Sequence, residues 1–204
     1  MKPTIIINKE SCEGCIACLK ACPMNAIIIE NGRVKIDSNR CINCLHCLNK
    51  CKDHALSTKS SSLEEIKDYD FTICLVPSAL MHHFESNAEI EKIFYAIGQL
   101  GFDEVYNLSP FEAMAEEAFF KEEGPRISSF CPVCKRAIKY DYPTLLEQLS
   151  KVDYPSEIAS RYYRKKYSDK TNMGIFLLCE CSSKLLLAKH PYNNYQYETD
   201  HTLA

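Results

Sequence analysis

Cysteine dominates the chemistry open to this sequence. Eight of its thirteen cysteines fall in two runs, CEGCIACLKACP from Cys12 and CINCLHCLNKCK from Cys41, each spaced C-x2-C-x2-C-x3-C. The runs repeat at an offset of 29 residues: Cys12 with Cys41, Cys15 with Cys44, Cys18 with Cys47, Cys22 with Cys51. Three thiolates at two-residue intervals can wrap one face of a cubane-like iron–sulfur cluster. The fourth starts or continues a short helix that leads away, so it reaches the other cluster. The expected ligand sets are therefore Cys12, Cys15, Cys18 and Cys51 for one 4Fe-4S cluster, and Cys41, Cys44, Cys47 and Cys22 for a second. A structural zinc site would separate its two ligand pairs by a longer gap.

Four further cysteines stand in close pairs, Cys131 and Cys134 in CPVC, and Cys179 and Cys181 in CEC. They read as a third metal site, as part of a catalytic centre, or as buried apolar residues. Cys74, alone in an apolar run, reads as core. His46 and His54 flank the cysteine runs and are expected to be exposed, as are His82 and His83. The segment RYYRKKY at 161–167 reads as an amphipathic helix with a solvated basic face. Tyr192, Tyr195 and Tyr197 lie in a polar tail.

The elements that must position these groups divide the chain. Residues 1–57 carry eight Lys or Arg against five Asp or Glu, and the remainder sixteen against twenty-two, a net +3 and a net −6. The basic first part offsets the negative charge of thiolate-bound clusters, and the overall charge of −3 gives no electrostatic case for nucleic acid. A segment near 60 residues needs staples or metal to be stable, whereas the remainder is long enough for a core. The expected division is a dicluster ferredoxin domain at 1–57, a polar linker at 58–65 and an α/β domain at 66–204. No apolar run approaches the ~18 residues of a membrane span, and MKPTIIINKE is too short and too soon charged for a signal sequence. Tight cysteine spacing without an export signal points to metal in a reducing cytoplasm, that of an anaerobe or facultative anaerobe.

In the first part, strands are expected around Ile5–Ile7, Ile27–Glu30, Val34–Ile36 and Ala55–Thr58, with Asn31-Gly32 as a hairpin turn. In the second, strands are expected at Asp70–Val76, Glu104–Leu108, Arg126–Phe130 and Gly174–Leu178. Helices are expected at 87–100 with Asn87 as cap, at 110–122, at 135–137, near 143–149 and at 156–167. Alternating strand and helix imply a largely parallel sheet, and both close cysteine pairs would then sit just past strand ends, where ligands bind in such sheets.

Residues 1–57 resemble bacterial dicluster ferredoxins, with Lys52 in place of a proline after the second run. Residues 70–189 resemble the first part of the catalytic domain of iron-only hydrogenases. The stretches that carry this likeness are IGQLGFDEVYNLSPFEAMAEEA, RISSFCPVCKRAIKYDYPTLLEQLSKVDYPSEIA and FLLCECSSK. The resemblance implies an α+β ferredoxin-like domain followed by an incomplete α/β hydrogenase-like domain. It puts Cys131 and Cys181 at ligand positions of the active-site cubane and Lys184 at the position that holds a cyanide of the di-iron unit. Glu116 and Ser150 fall at proton-relay positions. Phe130 stands where the family has its proton-passing cysteine, Glu180 where it has a proline, and the later motif that supplies two more cysteines is not found before Ala204. The pair Cys134 and Cys179, which the family pattern lacks, would complete a four-thiolate site with Cys131 and Cys181, for a third 4Fe-4S cluster or for zinc. The alternative is that both are small core residues.

The expected function is electron transfer through two 4Fe-4S clusters to a redox protein partner or oxidoreductase, with the degenerate hydrogenase-like domain holding a third cluster or docking the partner. A variant or fragment of an iron-only hydrogenase, and a redox-sensing interaction module, are the alternatives. No catalytic residue is assigned.

Overall fold

The computed structural model describes residues 4–58, 60–84, 89–186 and 198–203. Tyr192, Tyr195, Tyr197 and the expected cap Asn87 lie outside them. In chain order the elements are β1 (Ile5–Ile7), α1 (Ala17–Ala21), β2 (Ile27–Glu30), β3 (Arg33–Ile36), α2 (His46–Lys50) and β4 (Leu56–Thr58). There follow β5 (Phe71–Val76), α3 (Ser78–Met81), α4 (Ile90–Gly98), β6 (Glu104–Asn107) and α5 (Ser109–Phe120). The chain closes with α6 (Pro132–Asp141), α7 (Pro155–Lys166), β7 (Met173–Leu178) and β8 (His201–Leu203), and 3-10 turns cover Leu63–Asp68, Pro143–Gln148 and Ser182–Leu186. Two compact units result. One gathers Met1–Lys59 with Cys131–Glu147, the other Ser60–Phe130 with Gln148–Ala204.

The first unit is two antiparallel pairs, β1 with β4 and β2 with β3, and two five-residue helices. The β2–β3 hairpin turns on Asn31 and Gly32, whose φ angles of 53° and 73° are those of a type I′ turn. Helices this short cannot persist alone. Their residues are held instead by a shared apolar cluster of Cys18, Ile27, Val34, Cys47 and Leu56. Helix α6 belongs to this unit: Val133 and Ala137 pack against Met24, Ala26, Cys41 and Ile42. The sequence places this segment in the larger domain and starts its helix only at Lys135. In the structure Cys131 is the N-cap and Pro132 opens the helix, a position that suits proline because its missing N–H would have had no partner.

The second unit is a four-stranded sheet in the order β6-β5-β7-β8, parallel throughout. The alternation of β5 and β7 divides two cores. Ile73, Leu75, Ile175 and Leu177 face Leu108, Phe111, Ala159 and Tyr163 from the α5 and α7 side. Cys74, Val76 and Phe176 face Ile93, Ile97 and Phe102 on the α4 side. Both faces are covered, which is why FTICLV and MGIFLL are near-continuous apolar runs. Of the expected strand Arg126–Phe130 only Ile127 pairs, with Leu149. The flanking Pro125 and two serines leave too few apolar residues to extend it, and the Ser129 hydroxyl donates to the Val152 carbonyl at 3.3 Å. The fourth sheet position is taken by β8, whose Leu203 carbonyl accepts from the Cys179 N–H at 2.6 Å.

The segment 161–167 is engaged by its own fold. Arg164 pairs with Glu198 at 2.9 Å and Asp200 at 2.8 Å. The Lys166 ammonium lies 5.0 Å from the ring centres of Tyr106 and Tyr167.

Candidate functional site

The 29-residue repeat is also a repeat of backbone conformation. Gly14 and Asn43 have φ of 71° and 55°, Ile16 and Leu45 both 59°, and Asn25 and His54 49° and 48°. A left-handed residue costs a side chain such as isoleucine or leucine free energy, and Ile16 and Leu45 hold that conformation at matching positions of the two runs. Alternating left- and right-handed residues turn successive N–H groups toward one side, a concavity that suits anionic clusters. After each loop the helix ends at the fourth cysteine of its run. There the Ala26 N–H donates to Cys22 Sγ at 3.2 Å, and the Ala55 N–H to Cys51 Sγ at 3.3 Å.

Each loop lines a cavity. Cys12, Cys15, Cys18 and Cys51 line one, with Val34, Ala55 and Leu56. Cys41, Cys44, Cys47 and Cys22 line the other, with Met24, Ile27, Ile36 and Ile42. In each cavity three thiols come from one repeat and the fourth from the other. Burial pushes the thiols of Cys18 and Cys41 up in pKa, and that of Cys47 up to about 12. Such thiols resist ionising alone, whereas a bound metal deprotonates its thiol ligands outright. Among the described residues no three His, Cys, Asp or Glu side chains close on a point that would hold a single metal ion. A cubane differs from a single ion in this respect, because its four thiolates bind four separate irons and stand correspondingly apart. The lining and the buried thiols fit an iron–sulfur cluster.

The other cysteines divide between the units. Cys131 and Cys134 are both exposed and lie in the first turn of α6, where the Cys134 thiol is within hydrogen-bonding reach of Cys131. Cys179 is buried in the core beside β7, and burial pushes its thiol up to about 12, while Cys181 is exposed. Cys74 is fully buried. His46, His54, His82 and His83 are exposed.

The second unit contains a cavity of about 450 Å³ beyond the carboxyl ends of β5, β6 and β7. Its walls include Pro77, Leu108, Phe119, Phe130, Tyr154 and Leu177, with Glu112, Glu116, Glu180 and Lys184 as the charged groups. The Lys184 ammonium is paired with the Glu180 carboxylate four residues before it. The Ser78 N–H donates to Glu112 at 3.2 Å. Phe130 packs against Tyr154 with ring centres 6.3 Å apart. Ser150 is buried, and its hydroxyl accepts from the Val152 N–H at 3.1 Å.

Sequence reasoning did not anticipate Arg136, Asn43 or Glu112 as site residues, nor the pairing of Lys184 with Glu180. Asn43 is legible in retrospect, since the repeat puts it opposite Gly14. Its side-chain oxygen accepts from the Thr4 N–H at 3.3 Å, fixing the loop of the second run.

Comparison with known proteins agrees with this geometry. The 4Fe-4S dicluster domain matches residues 4–52, and the C-terminal domain of the iron-only hydrogenase large subunit matches residues 72–204. The chain belongs to the iron-only hydrogenase large-subunit family, with a dicluster domain preceding the hydrogenase domain. Solved structures that resemble it include hydrogenases. One, described for oxygen inactivation through modification and degradation of the 2Fe subcluster, is 16% identical with a TM-score of 0.56, over 69% of this chain and 43% of that one. Variants of HydA1 from Chlamydomonas reinhardtii are 17% identical with a TM-score of 0.53, over 69% of this chain and 43% of theirs. A hydrogenase described for stepwise H-cluster assembly is 17% identical with a TM-score of 0.52, over 69% of this chain and 42% of that one. The chain thus spans less than half the length of these hydrogenases. No curated protein matches it.

Proposed function

We propose that this protein is an electron carrier in which Cys12, Cys15, Cys18 and Cys51 hold one 4Fe-4S cluster and Cys41, Cys44, Cys47 and Cys22 a second. The observation that carries the reading is the pair of repeat-related cavities, each lined by four cysteines with the fourth drawn from the opposite repeat. When bound, each cluster accepts and returns one electron. The protein's own part is to bury the sulfurs among apolar side chains and aim backbone N–H groups at them, levers that set the potential. The reading includes a redox protein as partner and the reducing cytoplasm as compartment. Among the described residues no helix is long and apolar enough to cross a membrane.

The cavity of the second unit does not fit the di-iron unit of a hydrogen-activating site. The position that passes protons is Phe130, which has no ionisable group, and Lys184 is already held by Glu180. We derive no hydrogen chemistry from it. A third site formed by Cys131, Cys134, Cys179 and Cys181, with a 4Fe-4S cluster ahead of zinc, is the sequence expectation that the iron count decides.

Iron, zinc and acid-labile sulfide per chain, measured on anaerobically purified protein, test both parts. About eight iron and eight sulfide are expected from two cubanes, since each holds four of each. About twelve iron, falling to eight in the Cys131→Ser/Cys181→Ser variant, establishes the third cluster. About eight in both proteins dismisses it. Markedly fewer than eight in the wild type overturns the two-cluster reading, and rapid hydrogen uptake by the same preparation overturns the exclusion of hydrogen chemistry.

A further inference from the structure

The two cluster sites repeat in sequence and backbone but not in charge. Among the described residues lining the first-repeat cavity, the charged ones are Glu13 and Asp53, both exposed. Helix α6 packs on residues that line the second-repeat cavity: its Val133 and Ala137, one turn apart, lie against Met24, Ala26, Cys41 and Ile42. Arg136 lies on the same helix beside Ala137 and is only 2% exposed. A guanidinium cannot be deprotonated in a protein, so Arg136 is a permanent buried cation on the helix that packs on Cys41.

Reduction adds one negative charge to a cluster. Burial in apolar surroundings opposes that charge, and a neighbouring cation favours it. The second-repeat site is the more buried of the two, with both Cys41 and Cys47 buried against Cys18 alone in the first. Burial alone would therefore make it the harder to reduce. Arg136 acts in the opposite sense, and from a buried position. Charge interactions there are about fourfold stronger than in bulk water, taking an effective dielectric constant of about 20 against about 80. The carboxylates of Glu13 and Asp53 are screened by solvent and salt.

We propose that Arg136 is the charge-compensating residue of the second-repeat site: it selectively raises the reduction potential of the cluster held by Cys41, Cys44, Cys47 and Cys22 and tilts the electron toward that site, beneath α6. The assignment rests on the two-cluster reading above.

The test is redox titration followed by electron paramagnetic resonance, with iron counted in every sample. A Cys51→Ser background isolates the second-repeat cluster and a Cys22→Ser background the first. Arg136→Gln is expected to lower the reduced-to-oxidised ratio of the second-repeat cluster about tenfold at fixed potential, a shift of about 59 mV for one electron. It leaves the first-repeat cluster unmoved, and Arg136→Lys recovers most of the shift. If Arg136→Gln does not load iron, Arg136→Met, which keeps the apolar stem without the charge, repeats the measurement. No shift, an equal shift in both backgrounds, or a Lys variant no better than Gln overturns the assignment while eight iron in the wild type leaves the two-cluster reading standing. Fewer than eight iron in the wild type overturns both.

Discussion

A Cβ built on Gly14 would lie 2.4 Å from the carbonyl oxygen of Gly32. The loop that carries Cys12 and Cys15 therefore rests directly on the backbone of the β2–β3 turn. Gly14 also has φ of 71°, where a side chain is strained whatever the space. The contact is with backbone, which cannot rotate away.

Gly14→Ala is accordingly expected to displace this loop and cost the first-repeat cluster. Iron should fall from about eight to about four per chain, the content of one cubane. The remaining signal should match that of a Cys51→Ser variant. Retention of full iron would show that the hairpin turn yields.

The crossed ligand sets make a second prediction. Cys12→Ser/Cys51→Ser is expected to remove the same cluster twice and to lose no more iron than either single variant. Cys12→Ser/Cys22→Ser should lose both clusters, although its two positions lie in the same run. Iron content and paramagnetic resonance of the four proteins decide it, and the reverse pattern would mean that each run closes on its own cluster.

Glu157 supplies a pH dependence. Burial raises its carboxyl pKa, even though it accepts the Glu198 N–H at 2.9 Å. A group whose folded pKa lies above its unfolded value stabilises the fold below the unfolded pKa and loses that contribution as pH rises through the folded one. Stability from this group should thus be highest below the ordinary glutamate range and decline above it. Glu157→Gln, which keeps an acceptor and cannot ionise, is expected to flatten that decline in chemical denaturation from pH 4 to pH 7, steps chosen around the ordinary glutamate pKa of about 4.3. An unchanged pH profile would remove Glu157 as its source.

Gly174 is tied to Tyr69 by close approach. A Cβ there would meet the Tyr69 ring at 2.6 Å. The ring is fixed between Phe176 and His201, and its hydroxyl bonds His201 Nε2 at 2.8 Å. Gly174→Ala should destabilise by about 1–3 kcal/mol, the usual cost of overpacking. Circular dichroism on denaturation is the measurement, and a loss below about 0.5 kcal/mol, the range of neutral surface changes, would show that the ring relocates.

The sequence alone determined the eight-cysteine pattern, the Asn31-Gly32 turn and the strands of FTICLV and GIFLL. Each depends on residues within a few positions of one another, and spacing and turn chemistry are local. It also carried the family likeness, through stretches that remain contiguous in the fold. The tertiary structure decided the rest. The three residues of β8 are too few to show a period, and they become a strand only because β7 offers unpaired carbonyl and N–H groups beside them. CPVC reads as the end of a strand until the packing of Val133 and Ala137 makes it the start of a helix on the second-repeat site. Nothing in CPVCKRAIKY marks the buried Arg136 apart from the half-buried Lys135 next to it. Burial separates the two, and burial is set by Met24, Ala26, Cys41 and Ile42, about a hundred residues earlier in the chain.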